Sequence, residues 1–179
     1  MRTLLVAVLM AVVTGAPARA EVYEDKSVPI YVQTPPGFTI RTGADSGYDL
    51  VLNIDPVGNF PSRAAGEAHL CGIRYKVQPS QYTQEAINAR VNDQAVQAQA
   101  RVPIAAVLNL KTERMFTLGE VAGLEYFGTM REEPTAVSLL SVIVTPRGRV
   151  QIACFLPADQ AEKALPVLRS IRDSIRPPK

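Results

Sequence analysis

The stretch VSLLSVIVTPRGRVQIACF, Val137 to Phe155, decides the fold. Val137 to Thr145 is a strongly apolar, β-branched run, and Arg149 to Phe155 is its return. Runs of this length and composition read as strands. Pro146-Arg147-Gly148 between them is read as a hairpin turn, with Gly148 supplying the positive φ that a bulge turn needs.

The same period continues on the amino-terminal side. Gly123 to Met130 and the shorter Phe116-Thr117-Leu118 read as strands. Cys71, Ile73, Tyr75 and Val77 alternate with Gly72, Arg74 and Lys76 until Pro79. Tyr48, Leu50, Leu52 and Ile54 alternate with Asp49, Val51 and Asn53, the mark of a half-buried strand. Phe38-Thr39-Ile40 and Val28 to Gln33 are shorter strand pieces, separated by Pro35-Pro36-Gly37. Residues 56–67 hold two prolines and two glycines and are expected as an exposed loop.

Twice the period changes to that of a helix. From Thr83 to Ala100 there is neither Pro nor Gly, Thr83 is a fitting N-cap and Glu85 lies in the first turn. Ile87, Val91, Ala95 and Ala98 form one apolar stripe, so one long amphipathic helix is predicted, with 102–110 left unassigned after Pro103. After Pro157-Ala158-Asp159, the residues Ala161, Ala164, Leu165, Leu168, Ile171 and Ile175 mark a terminal helix, with a kink or restart expected at Pro166. Strands in runs rather than strict β–α alternation favour the α+β class: a mostly antiparallel sheet covered by a long middle helix and a C-terminal helix.

The amino terminus has a different purpose. Arg2 precedes ten apolar residues, Leu4 to Val13, and Ala18-Arg19-Ala20 is an Ala-x-Ala site. That order is the secretory pattern, and the apolar run is half the roughly 20 residues a spanning helix needs. Residues 1–20 are therefore read as a cleaved signal peptide, and 21–179 as a single domain with no membrane anchor. Arg2 and Arg19 leave with the leader, so Lys+Arg falls from 19 to 17 against 17 Asp+Glu. The remainder is formally neutral, which argues against nucleic acid as a partner. Arg169, Arg172, Arg176 and Lys179 at helical spacing read as a solvated helix face.

Cys71 and Cys154 are the only cysteines, and in an oxidising compartment two thiols pair. The alternative is two separate buried thiols. His69, the single histidine, lies two residues before Cys71; a metal site joining it to Cys71 and Cys154 has no supporting C-x-x-C or multi-histidine spacing. Asp45, Asp49, Asn53 and Asp55 put four oxygen donors in eleven residues, but the calcium-loop pattern is missing, so turn chemistry is the first reading and metal binding the second. Tyr31, Tyr48, Tyr75, Tyr82 and Tyr126 could line a ligand pocket at one sheet end, with Arg74 on a ligand groove, or they could pack the core and an exposed face. No phosphate loop or nucleotide fingerprint appears, and no cofactor is expected.

Several pieces of the layout occur together. Pro35-Pro36-Gly37-Phe38 follows the first strand, a helix follows the Val77-Gln78-Pro79 break, and a glycine-bearing strand occupies 123–130. A late hairpin runs through Cys154 into Leu156-Pro157-Ala158, and the chain closes with SIRDSIRP at 170–177. Over most of 28–177 this layout resembles the α/β/α domains of the PsbP-like, Mog-like and DcrB-like superfamily. The resemblance implies accessory subunits, assembly factors or adaptors rather than enzymes, and offers no catalytic residues to carry over. The expected function is that of an exported periplasmic accessory or binding protein contacting another envelope protein. A small-molecule or metal-ion binder is the second reading.

Overall fold

A computed structural model describes residues 19–24 and 28–178 of the 179-residue chain. The expected leader falls almost wholly in 1–18, and Lys179 ends the chain; both lie outside the described residues. No helix among the described residues is long and apolar enough to cross a membrane.

The main sheet has seven strands, all paired antiparallel. In chain order they are β3 (Phe38–Thr42), β4 (Leu50–Pro56), β5 (Cys71–Val77), β6 (Leu108–Leu118), β7 (Val121–Met130), β8 (Ala136–Thr145) and β9 (Gly148–Pro157). Across the sheet they run β3-β4-β5-β9-β8-β7-β6. A separate two-stranded sheet joins β1 (Val22–Glu24) to β2 (Tyr31–Gln33). The 137–155 hairpin forms as its sequence predicts, in register from Ala136↔Pro157 to Thr145↔Gly148. Gly148 is needed for a different reason from the one expected. Positive φ occurs at Gly37, Gly66 and Gly119 instead. At Gly148 a Cβ would collide with the Lys76 carbonyl oxygen, so glycine admits the close approach of β5.

Helices cover the two faces. On one lies α3 (Ala161–Asp173), burying Ala164, Leu168 and Ile171 over Val150, Ile152, Cys154 and Leu156. It runs unbroken through Pro166, without the expected restart. On the other lie α1 (Gln84–Val91) and α2 (Gln94–Val107), packed on β6–β8. The single helix expected from Thr83 to Ala100 is two helices. Thr83 caps the first through Ala86 N at 3.3 Å. The Asp93 carboxylate then accepts from Ala95 N at 2.8 Å and Val96 N at 3.1 Å, so a second N-cap forms inside the predicted span. Only the first half of the predicted stripe is buried: Ile87 and Val91 face the sheet, whereas Ala95 and Ala98 are exposed. Covered on both faces, β7 is buried from Val121 through Gly128. That is why its sequence shows no alternation.

Cys71 and Cys154 are direct cross-strand partners on β5 and β9, wholly buried and joined as a disulfide. The loop expected over 56–67 is mostly exposed, though Pro61 and Ala64 are buried, and Leu70 just beyond it enters the core.

Candidate functional site

Helices α1 and α2 stop over β8, so half of their face of the sheet is left without a helix. The register places Arg74 beside Gln151 and Lys76 beside Arg149 on that half, and Val144 beside Arg149 at its border. Period-2 alternation sets this pattern: Tyr75, Val150 and Ile152 point into the core beneath α3, and the residues between them point the other way.

Tyr48 and Arg74, two of the predicted pocket residues, meet here. The Tyr48 hydroxyl donates to Gln151 Oε1 at 2.6 Å, and the Arg74 guanidinium lies 5.9 Å from the Tyr48 ring centroid. Arg74 also pairs with Asp45 at 3.5 Å, and Lys76 with Asp49 at 3.8 Å. Three of the other four tyrosines go to different parts of the molecule. Tyr75 is buried in the main core, its hydroxyl donating to the Arg147 carbonyl at 3.2 Å; burial raises its pKa. Tyr126 is buried on the opposite face under α1 and α2, and burial raises its pKa too. Tyr31 pairs with Arg176 across an isolated bridge, under that guanidinium at 4.5 Å. These residues therefore do not line one pocket, because the strand register sends them to different faces.

The three carboxylates considered for metal also diverge. Asp45 and Asp49 take the cations just named, and Asp55 accepts from Leu70 N at 2.9 Å and pairs with His69 at 2.8 Å. Among the described residues no group of three or more His, Cys, Asp or Glu is placed to hold a metal ion. Both cysteine sulfurs are consumed in the disulfide, which removes them as partners for His69.

Where the helix-covered and helix-free halves meet, a groove of about 740 Å³ opens. Its walls are Ile87 and Val91 of α1, Val96 of α2 and Val144 of β8, with Tyr82 at the rim. Two cations face it, Arg90 and Arg149, and no carboxylate lines it. Arg90 stacks on Tyr82 at 5.5 Å. The Arg149 Nε is closed off from solvent and finds no acceptor among the described residues. Sequence reasoning placed Tyr82 with the other tyrosines and missed both arginines, because the groove is built by strand order rather than by any local motif.

A second unforeseen feature lies under α3. Glu125 of β7 is wholly buried and contacts three arginines. Arg114 reaches it with Nε at 2.6 Å and Nη2 at 3.2 Å, Arg169 with Nη2 at 2.9 Å, and Arg172 through Nη1. Arg172 also lies 4.2 Å from the Phe116 ring centroid and pairs with Asp173. Burial alone would raise the Glu125 pKa, but the hydrogen bonds from Arg114 and Arg169 and the field of Arg172 outweigh it and leave it lowered. Arg172 is only 3% exposed, so the reading of the terminal arginines as a solvated face is corrected at that residue. The signal was present: Arg114 and Glu125 sit opposite one another about the Gly119-Glu120 turn, and Arg169 and Arg172 are one helical turn apart.

No protein-family model matches the chain, and no curated protein matches it in sequence. Solved structures do. The chain is similar to cyanobacterial PsbP (CyanoP) from Synechocystis sp. PCC 6803, with a TM-score of 0.50 and 13% identity, over 96% of this chain and 99% of that one. It is also similar to PA94 of Pseudomonas aeruginosa, a protein of unknown function, with a TM-score of 0.42 and 11% identity over 89% of this chain and 98% of that one. With its antiparallel sheet held between α3 and the α1–α2 pair, the chain has the PsbP-like fold.

Proposed function

We propose that this chain is an exported, non-catalytic accessory protein that docks on another protein of the cell envelope. The observation that carries the reading is at the β6 end of the molecule. The fourteen-residue helix α2 buries none of its residues. It lies against β6, an eleven-residue strand at the edge of the sheet whose middle is exposed. Val102, Val107 and Met115 stand there at 70%, 55% and 42% exposure. A helix that contributes so little to the core, beside an edge strand with free backbone groups, suits an interface better than a scaffold. The leader pattern of 1–20 and the cysteine pairing support export, since disulfides persist in oxidising compartments.

The test is site-specific photo-crosslinking in intact cells of the source organism, with the crosslinker at Val102 or Met115 and, as a control, at exposed Lys163 of α3. The expected result is one dominant adduct with an envelope protein from the first two positions, lost in Val107→Asp, in material whose amino terminus begins near Glu21. Adducts of equal strength from Lys163, or a protein retaining Met1 in the cytosol, would overturn the reading.

A further inference from the structure

We infer that the groove between α1 and the β8–β9 hairpin binds a small amphipathic anion, a single carboxylate on an apolar body, with Arg149 and Arg90 holding the charge. The inference is independent of the docking role proposed for α2 and β6.

The case rests on an imbalance among neighbouring cations. On the helix-free half of the sheet, Arg74 has Asp45 and Lys76 has Asp49. Arg149 lies directly across from Lys76 and has no acid, no ring and no hydrogen-bond acceptor among the described residues. Its Nε is nevertheless shut away from water, and a buried donor without an acceptor is destabilising. Arg74 and Lys76 each have a carboxylate whereas the half-buried Arg149 beside them has none, which leaves its guanidinium suited to an incoming acceptor. Arg90 has a structural explanation of its own, since it closes the last turn of α1, where a cation is favoured. Its position across the same groove adds the second positive charge.

The rest of the lining sets the ligand class. Ile87, Val91, Val96 and Val144 give the groove apolar walls, and the absence of any Asp or Glu from its lining leaves the two charges uncancelled. Its volume of about 740 Å³ falls within the roughly 300–1,000 Å³ of small-molecule sites. A carboxylate can accept from both Nη groups of a guanidinium together, a bidentate geometry that Arg offers and Lys does not. An apolar chain on that carboxylate then lies against the valines and Ile87. A cation would meet two arginines, and a neutral apolar ligand would leave both guanidinium charges uncompensated.

Titration of the oxidised protein with octanoate, 1-octanol and acetate, read by NMR at assigned methyl groups, tests this. Octanoate should shift the methyls of Val91, Val96 and Val144 together, 1-octanol should bind at least ~10-fold more weakly, and acetate should shift none of them at up to ~10 mM. Arg149→Gln should weaken octanoate binding at least ~10-fold while leaving the other methyl positions of the spectrum in place. Arg90→Gln should weaken it by a smaller factor, and provides the second reading if Arg149→Gln fails to fold. Equal affinities for octanoate and octanol, octanoate shifts that bypass Val144, or arginine variants that bind as the parent does would each overturn the assignment.

Discussion

Arginine meets carboxylate at both ends of the sheet, on opposite terms. At the β7 end Glu125 is wholly buried among Arg114, Arg169 and Arg172. At the β4–β5 end Asp45 and Arg74 pair at 3.5 Å with side chains 39% and 38% exposed. The first charge has been taken out of water and depends on its partners; the second keeps most of its hydration. The lesson is that the number of ion pairs says little about their weight. A pair stripped of solvent is costly to break because the survivor is stranded, whereas an exposed pair contributes about 0–1 kcal/mol.

The sharpest way to break the comparison is Glu125→Ala. It strands Arg172 beneath α3 and should cost about 3–5 kcal/mol in chemical denaturation. The same residue predicts a pH dependence. Because the folded Glu125 pKa lies below its unfolded value, its contribution is complete above the unfolded value of 4.5 and is lost as pH falls through the folded value. Glu125→Gln should therefore flatten the acid limb of the stability profile. Next in size is the disulfide between the two halves of the sheet. Cys71→Ala with Cys154→Ala should lower stability by about 2–4 kcal/mol, measured by urea midpoint against the oxidised parent. The smallest effect is at the open end: Asp45→Ala should cost no more than about 0.5–1 kcal/mol, and its loss should shrink further in high salt. A large loss at Asp45 with a small one at Glu125 would reverse the comparison.

What could be read from the sequence divides along the same line between local and non-local order. The strands of the 137–155 hairpin, the apolar face of the terminal helix and the Thr83 cap are each written in contiguous residues and form as read, although Gly148 does not take the expected positive φ. A polar pair such as Asn92-Asp93 inside an amphipathic span looks like a solvated face; that the Asp93 carboxylate caps a new helix depends on geometry the periodicity does not carry. Only Phe116 to Leu118 of β6 was recognised, since Lys111, Thr112, Glu113 and Arg114 read as polar, the usual composition of an edge strand. The tyrosines were grouped because alternation assigns a residue to one side of its strand, whereas meeting in one pocket also depends on which strands are neighbours. For the same reason Glu125 and Arg149 drew no notice. Beyond the Arg114 partner across its own hairpin, Glu125 owes its surroundings to distant Arg169 and Arg172, as Arg149 does to Arg90 and Val96.

The late arrival of β9 has a consequence for how the molecule is assembled. Strands β3-β4-β5 form one three-stranded ladder and β8-β7-β6 another, and β9 alone joins them. A chain synthesised or threaded amino terminus first thus carries two incomplete sheets, with β5 and β8 each offering a raw hydrogen-bonding edge, until residues 148–157 emerge. The keystone is placed near the end of the process, and Cys154 travels on it, so the covalent link to Cys71 cannot close before that strand has emerged.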